Sequence, residues 1–192
     1  GLNRYNGTDF YVFRPVKDDK NSLYNNNIGT ICGDKQGHIY IRCKYAVVEY
    51  DIKKNTFHTI RDNDIQAITY DNARLWVCTR DSLFTYNRVE DRLDYYYNLE
   101  GARMSCVIED SDGNLYVGTM NNGLYMIDHN KKWLNYFPKK DITCIYEDSK
   151  KSIWVGTKDD GLFRLDRNGG ITNYGTAPHQ NMLSSSYVRC IV

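Results

Sequence analysis

A short phrase recurs along this chain at nearly even intervals: Ile39-Tyr40-Ile41, Leu75-Trp76-Val77, Leu115-Tyr116-Val117 and Ile153-Trp154-Val155. Successive copies lie about 36 to 40 residues apart, a period that belongs to arrays of small supersecondary units. A unit of that size cannot bury its own apolar faces, so it must stack against its neighbours. The period therefore limits the chain to repeat architectures before any single residue is weighed.

Within one period the pattern is of strands. Ile142–Tyr146, Ile153–Thr157 and Leu162–Leu165 are short runs rich in Ile, Val, Trp and Thr, separated by Glu147–Ser152 and Lys158–Gly161. Runs of this length bounded by Asp, Ser, Lys and Gly signal strands and turns. No apolar 3.6-residue period lasts long enough to argue a helix. A fourth, less regular strand follows each third one, at Thr56–Ile60, Leu93–Tyr97, Trp133–Phe137 and Ile171–Tyr174. Four strands per period predict an all-β chain, a β-propeller of four-stranded antiparallel blades.

Whole blades are expected over 28–60, 65–97, 104–137 and 142–175. The last two strands of a blade fall over 1–14, and the first strand of a further blade over 187–192. Because rings of this kind usually hold more blades, the array is expected to be incomplete, part of a larger propeller. First strands such as Cys144-Ile145-Tyr146 are apolar at consecutive positions, so both faces need cover. The aromatics Tyr40, Trp76, Tyr116 and Trp154 are expected to fill the spaces between blades.

Bulk properties exclude more than they assert. Formal net charge is +1 with basic residues scattered through turns, which gives no reason to propose nucleic acid as a partner. No apolar run reaches the roughly 20 residues that span a bilayer, and GLNRYNGTDF is not a signal peptide. The chain is then either a mature or excised piece, or cytosolic. Cys106, Cys144 and Cys190 share one repeat position, where Thr30 and Ala67 stand in other copies, so they are expected to be small buried thiols. No C-x-x-C spacing or Cys/His cluster suggests a metal.

Several copies share a longer signature. Ile142, Ile145, Glu147-Asp148, Trp154-Val155-Gly156-Thr157 and Gly161-Leu162-Phe163 resemble the two-component regulator propeller repeat. So do Met104, Val107, Glu109-Asp110, Tyr116-Val117-Gly118-Thr119 and Gly123-Leu124-Tyr125. Gly1–Gly7 is similar to the entry phrase of such arrays, and Ser22–Asn26 to the loop that follows it. Two copies depart, with Arg42-Cys43 and Cys78 at the Gly-Thr or Gly positions, and the hairpin Asp71–Arg74 one residue shorter. The resemblance implies the periplasmic sensor region of a hybrid two-component histidine kinase and response regulator of the Bacteroides type, in a membrane-anchored parent protein. In that family two seven-bladed propellers and an immunoglobulin-like domain respond to oligosaccharides, often as a homodimer, and signal to kinase modules. Partners implied are an oligosaccharide, the remainder of the propeller and the downstream kinase.

Catalytic, cofactor and metal residues are expected to be none. His38, His58, His129 and His179 share no repeat position, and no H-E-x-x-H, G-x-S-x-G or phosphate loop occurs. Glu109-Asp110 and Glu147-Asp148 recur with the blade, which predicts turn capping and not acid–base work. Asp110–Asn114 begins like a calcium loop, but Leu115 stands where glycine is needed. A binding face is easier to place, because second-to-third strand loops and blade junctions open on one side. The candidate ligand-binding residues there are Lys44, Tyr45, Arg80, Asp81, Asn121, Asn122, Lys158 and Asp159, with Asn98–Arg103, Lys139-Lys140 and Ala177–Ser185 at the junctions. The readings in contention are a non-catalytic sensor, a propeller scaffold for protein partners, and a propeller lyase or glycosidase.

Overall fold

The computed structural model describes residues 1–175 and 183–191; the expectations at Ala177–Met182, His179 and Val192 lie outside the described residues. Among the described residues there are eighteen strands and no helix. The chain divides into two compact units, Gly1–Thr79 with Leu83–Tyr96, and Arg80–Ser82 with Tyr97–Val192.

In the first unit β1 (Leu2–Tyr5) pairs with β2 (Phe10–Phe13) as a two-stranded sheet. A four-stranded sheet follows, β3 (Ile28–Gly33), β4 (His38–Cys43), β5 (Ala46–Asp51) and β6 (Thr56–Arg61), hydrogen-bonded in chain order. The next comprises β7 (Ala67–Asp71), β8 (Arg74–Cys78), β9 (Ser82–Asn87) and β10 (Arg92–Asn98), again in chain order. In the second unit β11 (Met104–Glu109), β12 (Leu115–Thr119), β13 (Leu124–Ile127) and β14 (Trp133–Tyr136) form one sheet. The last is built of β15 (Ile142–Glu147), β16 (Ile153–Thr157), β17 (Leu162–Leu165) and β18 (Ile171–Tyr174). Every measured pairing is antiparallel, so the fold is the expected array of four-stranded propeller blades.

Burial explains why the blades stack. In β5 five successive residues, Ala46 to Tyr50, are buried, which one sheet alone cannot achieve. In the first unit Leu2 and Phe13 pack against Tyr50 and Phe57, while Tyr40 lies parallel to Tyr70 of the following blade at 5.7 Å. In the second unit Tyr116, Leu124, Ile142, Ile153 and Val155 form one core that runs from blade to blade.

Turn chemistry repeats more faithfully than the strands do. Asp34, Asp110 and Asp148 each accept two backbone N–H groups of the first hairpin through one carboxylate oxygen. Asp51, Asn87, Asp128 and Asp166 do the same in the third-to-fourth strand turn of all four blades. These are Asx-type turns, in which a short polar side chain satisfies donors that the ladder leaves free. The shortened hairpin at Asn72-Ala73 instead holds both residues at positive φ, 45° and 61°, the two-residue connection that suits strand twist.

Three expectations need correction. Trp154 is not enclosed between blades: it is half-buried, stacked on Tyr174 of its own blade at 5.4 Å, and its indole N–H donates to Asp148. Trp76 is buried, at 1% exposure, and its ring contact is likewise within its own blade, edge-on to Tyr96 at 4.9 Å. Within the stretch expected as a first strand over 187–192, residues 187–191 form no strand. A ladder needs a partner, and no second strand pairs with this segment among the described residues. Val188 is nonetheless held, its N–H donating to Thr157 O and its carbonyl accepting from the Thr143 hydroxyl. The ladder of the second blade also starts two residues late, at Ala67 and not Ile65.

Candidate functional site

The eight candidate residues fall in the second-to-third strand loops, as their place in the repeat requires. Lys44 and Tyr45 belong to the first unit; Arg80, Asp81, Asn121, Asn122, Lys158 and Asp159 belong to the second. Lys44 sits at φ 57° with its N–H donating to Asn27 O, and its ammonium stands 5.8 Å from the centre of the Tyr45 ring. Tyr45 is 55% exposed.

In the second unit the loops are tied to the blade junctions. Arg80 O accepts from Met104 N–H and Asp81 O from Leu99 N–H; Asn122 reaches Gly101 O at 3.4 Å. Asn121 and Lys158 converge on one junction residue: Asn121 N–H donates to an Asp141 carboxylate oxygen at 2.6 Å, and Lys158 N–H donates to Asp141 O at 3.0 Å. Lys140 pairs with Asp160 at 2.7 Å beside them. The structure therefore brings Asn121 and Lys158 together, and it places Arg80, Asp81 and Asn122 along the Leu99–Met104 junction. Backbone bonds hold these loops, which leaves the Asn122 and Lys158 side chains at the surface.

The carboxylates are occupied as turn caps. Asp148 accepts from the Trp154 indole, Ser152 N–H and Lys150 N–H, and these donors hold its carboxyl below the ordinary range. Glu147, beside it, accepts from the backbone N–H and hydroxyl of Ser111, both at 2.8 Å, and so ties one blade to the next. All six cysteines are free, and against the expectation of a buried thiol Cys190 is exposed, because no second strand covers its segment among the described residues. Burial pushes the Cys106 thiol up to about 12, which describes an inert core thiol and not a nucleophile. No group of His, Cys, Asp and Glu capable of holding a metal occurs among the described residues.

Two clefts open at the other ends of the strands, where sequence reasoning did not look. The first unit has one of about 290 Å³, lined by Glu49, Lys54, His58, Tyr86, Arg88 and Asp91. The second has one of about 350 Å³, which includes Asp112, Asn114, Tyr116, Tyr136, Lys151 and Arg167. They are the same place in the repeat. Arg88 and Arg167 each follow the capping residue of a third-to-fourth strand turn, and each reaches back to the preceding blade. The available signal was that shared arginine after Asn87 and Asp166.

Their electrostatics differ. Glu49, 6% exposed, takes a bidentate clamp from Arg88 at 2.9 to 3.2 Å. Asp91 accepts from the Tyr86 hydroxyl and bonds His58, each at 2.8 Å, and the tyrosine first, then the histidine, holds its carboxyl low. In the second cleft Arg167 touches Asp112 at 3.3 Å, and Lys151 pairs with the same carboxylate at 2.5 Å.

Comparison with known proteins agrees with this architecture. The two-component regulator propeller family model matches residues 98–121 and 136–159. Nothing among curated protein sequences matches the chain. Among solved structures, the chain is similar to the extracellular domain of a protein described as a hybrid two component system from B. thetaiotaomicron. The TM-score is 0.78 at 18% identity, over 95% of this chain and 26% of that one. PorZ, a surface component of the type-IX secretion system of Porphyromonas gingivalis, is similar with TM-score 0.74 at 14% identity, over 97% and 32%. Virginiamycin B lyase from Staphylococcus aureus follows with 0.67 at 15%, over 83% and 59%. The chain thus spans about a quarter of the length of the two-component protein it matches. At these identities the likeness speaks for the fold, and the family model matches those two segments of the chain. Two segments of the chain, 98–121 and 136–159, match the two-component regulator propeller repeat, within an array of four-stranded antiparallel blades.

Proposed function

We propose that this chain is a non-catalytic part of the extracytoplasmic sensor region of a hybrid two-component system. On this reading it lies in the periplasm within a membrane-anchored protein, recognises an oligosaccharide through its loop face, and signals to a histidine kinase. The observation that carries the proposal is the pair of two-component regulator propeller repeats at 98–121 and 136–159. The extracellular two-component domain with the same blade arrangement supports it. The loops of the second unit offer suitable chemistry in the amide of Asn122 and the charged groups of Arg80, Asp81, Lys158 and Asp159; in the first unit the ring of Tyr45 is exposed. The non-catalytic reading is supported by Asp110, Asp128, Asp148 and Asp166, whose carboxylates are occupied as turn caps.

Calorimetric titration of the full extracytoplasmic region with a panel of oligosaccharides tests this. Saturable binding that weakens about tenfold or more in Asn122→Ala or Lys158→Ala is expected, since each removes a hydrogen bond to ligand. Silence across the panel would favour a propeller scaffold for protein partners. Turnover of any member would replace the non-catalytic reading with a lyase or glycosidase. The mass in solution, by light scattering, tests the proposed homodimer.

A further inference from the structure

We propose that the cleft between the two blades of the second unit is a saccharide-binding site for a neutral pyranose unit, separate from the loop face. For its class of ligand this rests on the reading of the chain as an oligosaccharide sensor; for its place it rests on the cleft alone. The cavity, about 350 Å³, falls at the lower end of small-ligand sites and suits about one or two sugar rings.

Its walls are of two kinds. Met126 supplies apolar surface over the buried Ile153 and Leu165, and the rings of Tyr116 and Tyr136 stand beside it. A pyranose has the same duality, with C–H groups on its faces and hydroxyls at its edge. The Tyr116 side chain is 9% exposed, and neither its hydroxyl nor that of Tyr136 has a hydrogen-bond partner among the described residues. Two phenolic hydroxyls thus border a small apolar floor, each able to donate and accept. Burial, and after it the Asp110 carboxylate, pushes the Tyr116 phenol up, so it remains a donor at neutral pH.

Opposite the tyrosines lies the charged rim. Lys151 and Arg167 meet at Asp112, but Arg167 makes one long contact of 3.3 Å, which leaves most of its five donors unspent. Asp110, Asp112 and Asp166 against Lys151 and Arg167 give a formal balance of three negative charges to two positive. That balance disfavours a carboxylated sugar and permits a neutral one, whose hydroxyls can accept from Arg167 and donate to Asp112. The equivalent cleft of the first unit is open too, but its arginine is already committed. There Glu49, Arg88, Asp91, His58 and Tyr86 already satisfy one another.

The test uses the whole chain, tyrosine labelled with ¹³C in its rings, titrated with methyl glycosides of neutral hexoses and pentoses, their disaccharides, and the matching uronates. Ring signals of Tyr116 and Tyr136 are assigned through Tyr116→Phe and Tyr136→Phe, and circular dichroism checks that the blades persist. The expected result is saturable movement of both signals with a neutral saccharide, affinity falling about five- to tenfold in Arg167→Met, and weaker binding of the uronates. Binding that persists undiminished in Arg167→Met and Tyr136→Phe but is lost in Asn122→Ala would overturn the cleft and leave the loop-face reading standing. Binding of uronates alone would overturn the neutral-ligand assignment. Absence of any saccharide binding would overturn both readings.

Discussion

Arg88 in the first unit and Arg167 in the second occupy one repeat position and do different work. Arg88 is spent within its cleft, because the preceding blade offers Glu49 on β5, where its planar fork can take both carboxylate oxygens. At the position of Glu49 the second unit has Met126, which offers no acceptor, so Arg167 turns to the exposed hairpin residue Asp112 and holds it loosely. One difference in a neighbouring blade separates a cleft whose arginine is clamped from one whose arginine is loosely held.

The inner strands show the same rule in apolar form. In the second unit a thiol on the first strand faces glycine on the second, Cys106 opposite Gly118 and Cys144 opposite Gly156. In the first unit the order is reversed, with Ala67 opposite Cys78. A Cβ added at Gly118 would lie 2.5 Å from the Cys106 sulfur and 2.7 Å from Ile142. Space is allotted to the pair, and either strand can fill it. The first blade departs further, with Arg42 lying across Gly29, where a Cβ would meet its guanidinium.

The largest effect should separate the two tryptophans of the shared phrase. Trp76→Ala should cost about 3–5 kcal/mol in denaturant unfolding, because a fully buried indole leaves a cavity. Trp154→Ala should cost clearly less, being half-buried; equal losses would mean that the two units bury this position alike. Arg88→Met should lose about 1.5–3 kcal/mol by stranding the buried Glu49 carboxylate, whereas Arg167→Met should fall within about 0.5 kcal/mol as a surface pair. If the two arginines cost the same, the contrast between the clefts is broken.

Gly118→Ala should destabilise by about 1–3 kcal/mol through overpacking. Adding Cys106→Ala should recover only part, since Ile142 still crowds the new methyl; full recovery would show that the thiol alone sets the limit. Acid should act through the low carboxyls. Asp148, held low by Trp154 and the turn N–H groups, and Asp91, held low by Tyr86 and His58, have folded values below their unfolded ones. Their contribution is present above the ordinary carboxylate pKa of about 4 and is lost as pH falls through the folded values. Asp148→Asn should flatten that acid limb in a pH series of melting curves. The smallest effect is a gain: Ala73→Gly should stabilise by up to about 1 kcal/mol, because Ala73 carries a positive φ that glycine adopts freely. A loss on that change would imply that chain entropy outweighs the relief.

The blades were legible because their periodic residues have local causes. Alternating apolar runs, Asp and Asn at turn starts, and glycine at Gly113, Gly123 and Gly161 encode hairpins whatever lies beside them. The loop-face residues could be placed by the same logic, and Asp148 could be assigned to its turn, whereas Glu147 bonds Ser111 of the preceding blade and caps no turn of its own. The clefts were not legible, because Arg88 and Arg167 look alike until their partners one blade earlier, Glu49 or Met126, are set next to them.

By itself the sequence determined the repeat, the all-β class, the hairpins and the small thiol slots, since these depend on interactions within one period of the chain. Only the tertiary structure decided that Val188 is pinned without forming a strand, and which arginine is spent. Those outcomes turn on contacts between residues one blade apart, where burial and the presence of an acceptor set the energy, and neither can be read from a single copy of the repeat.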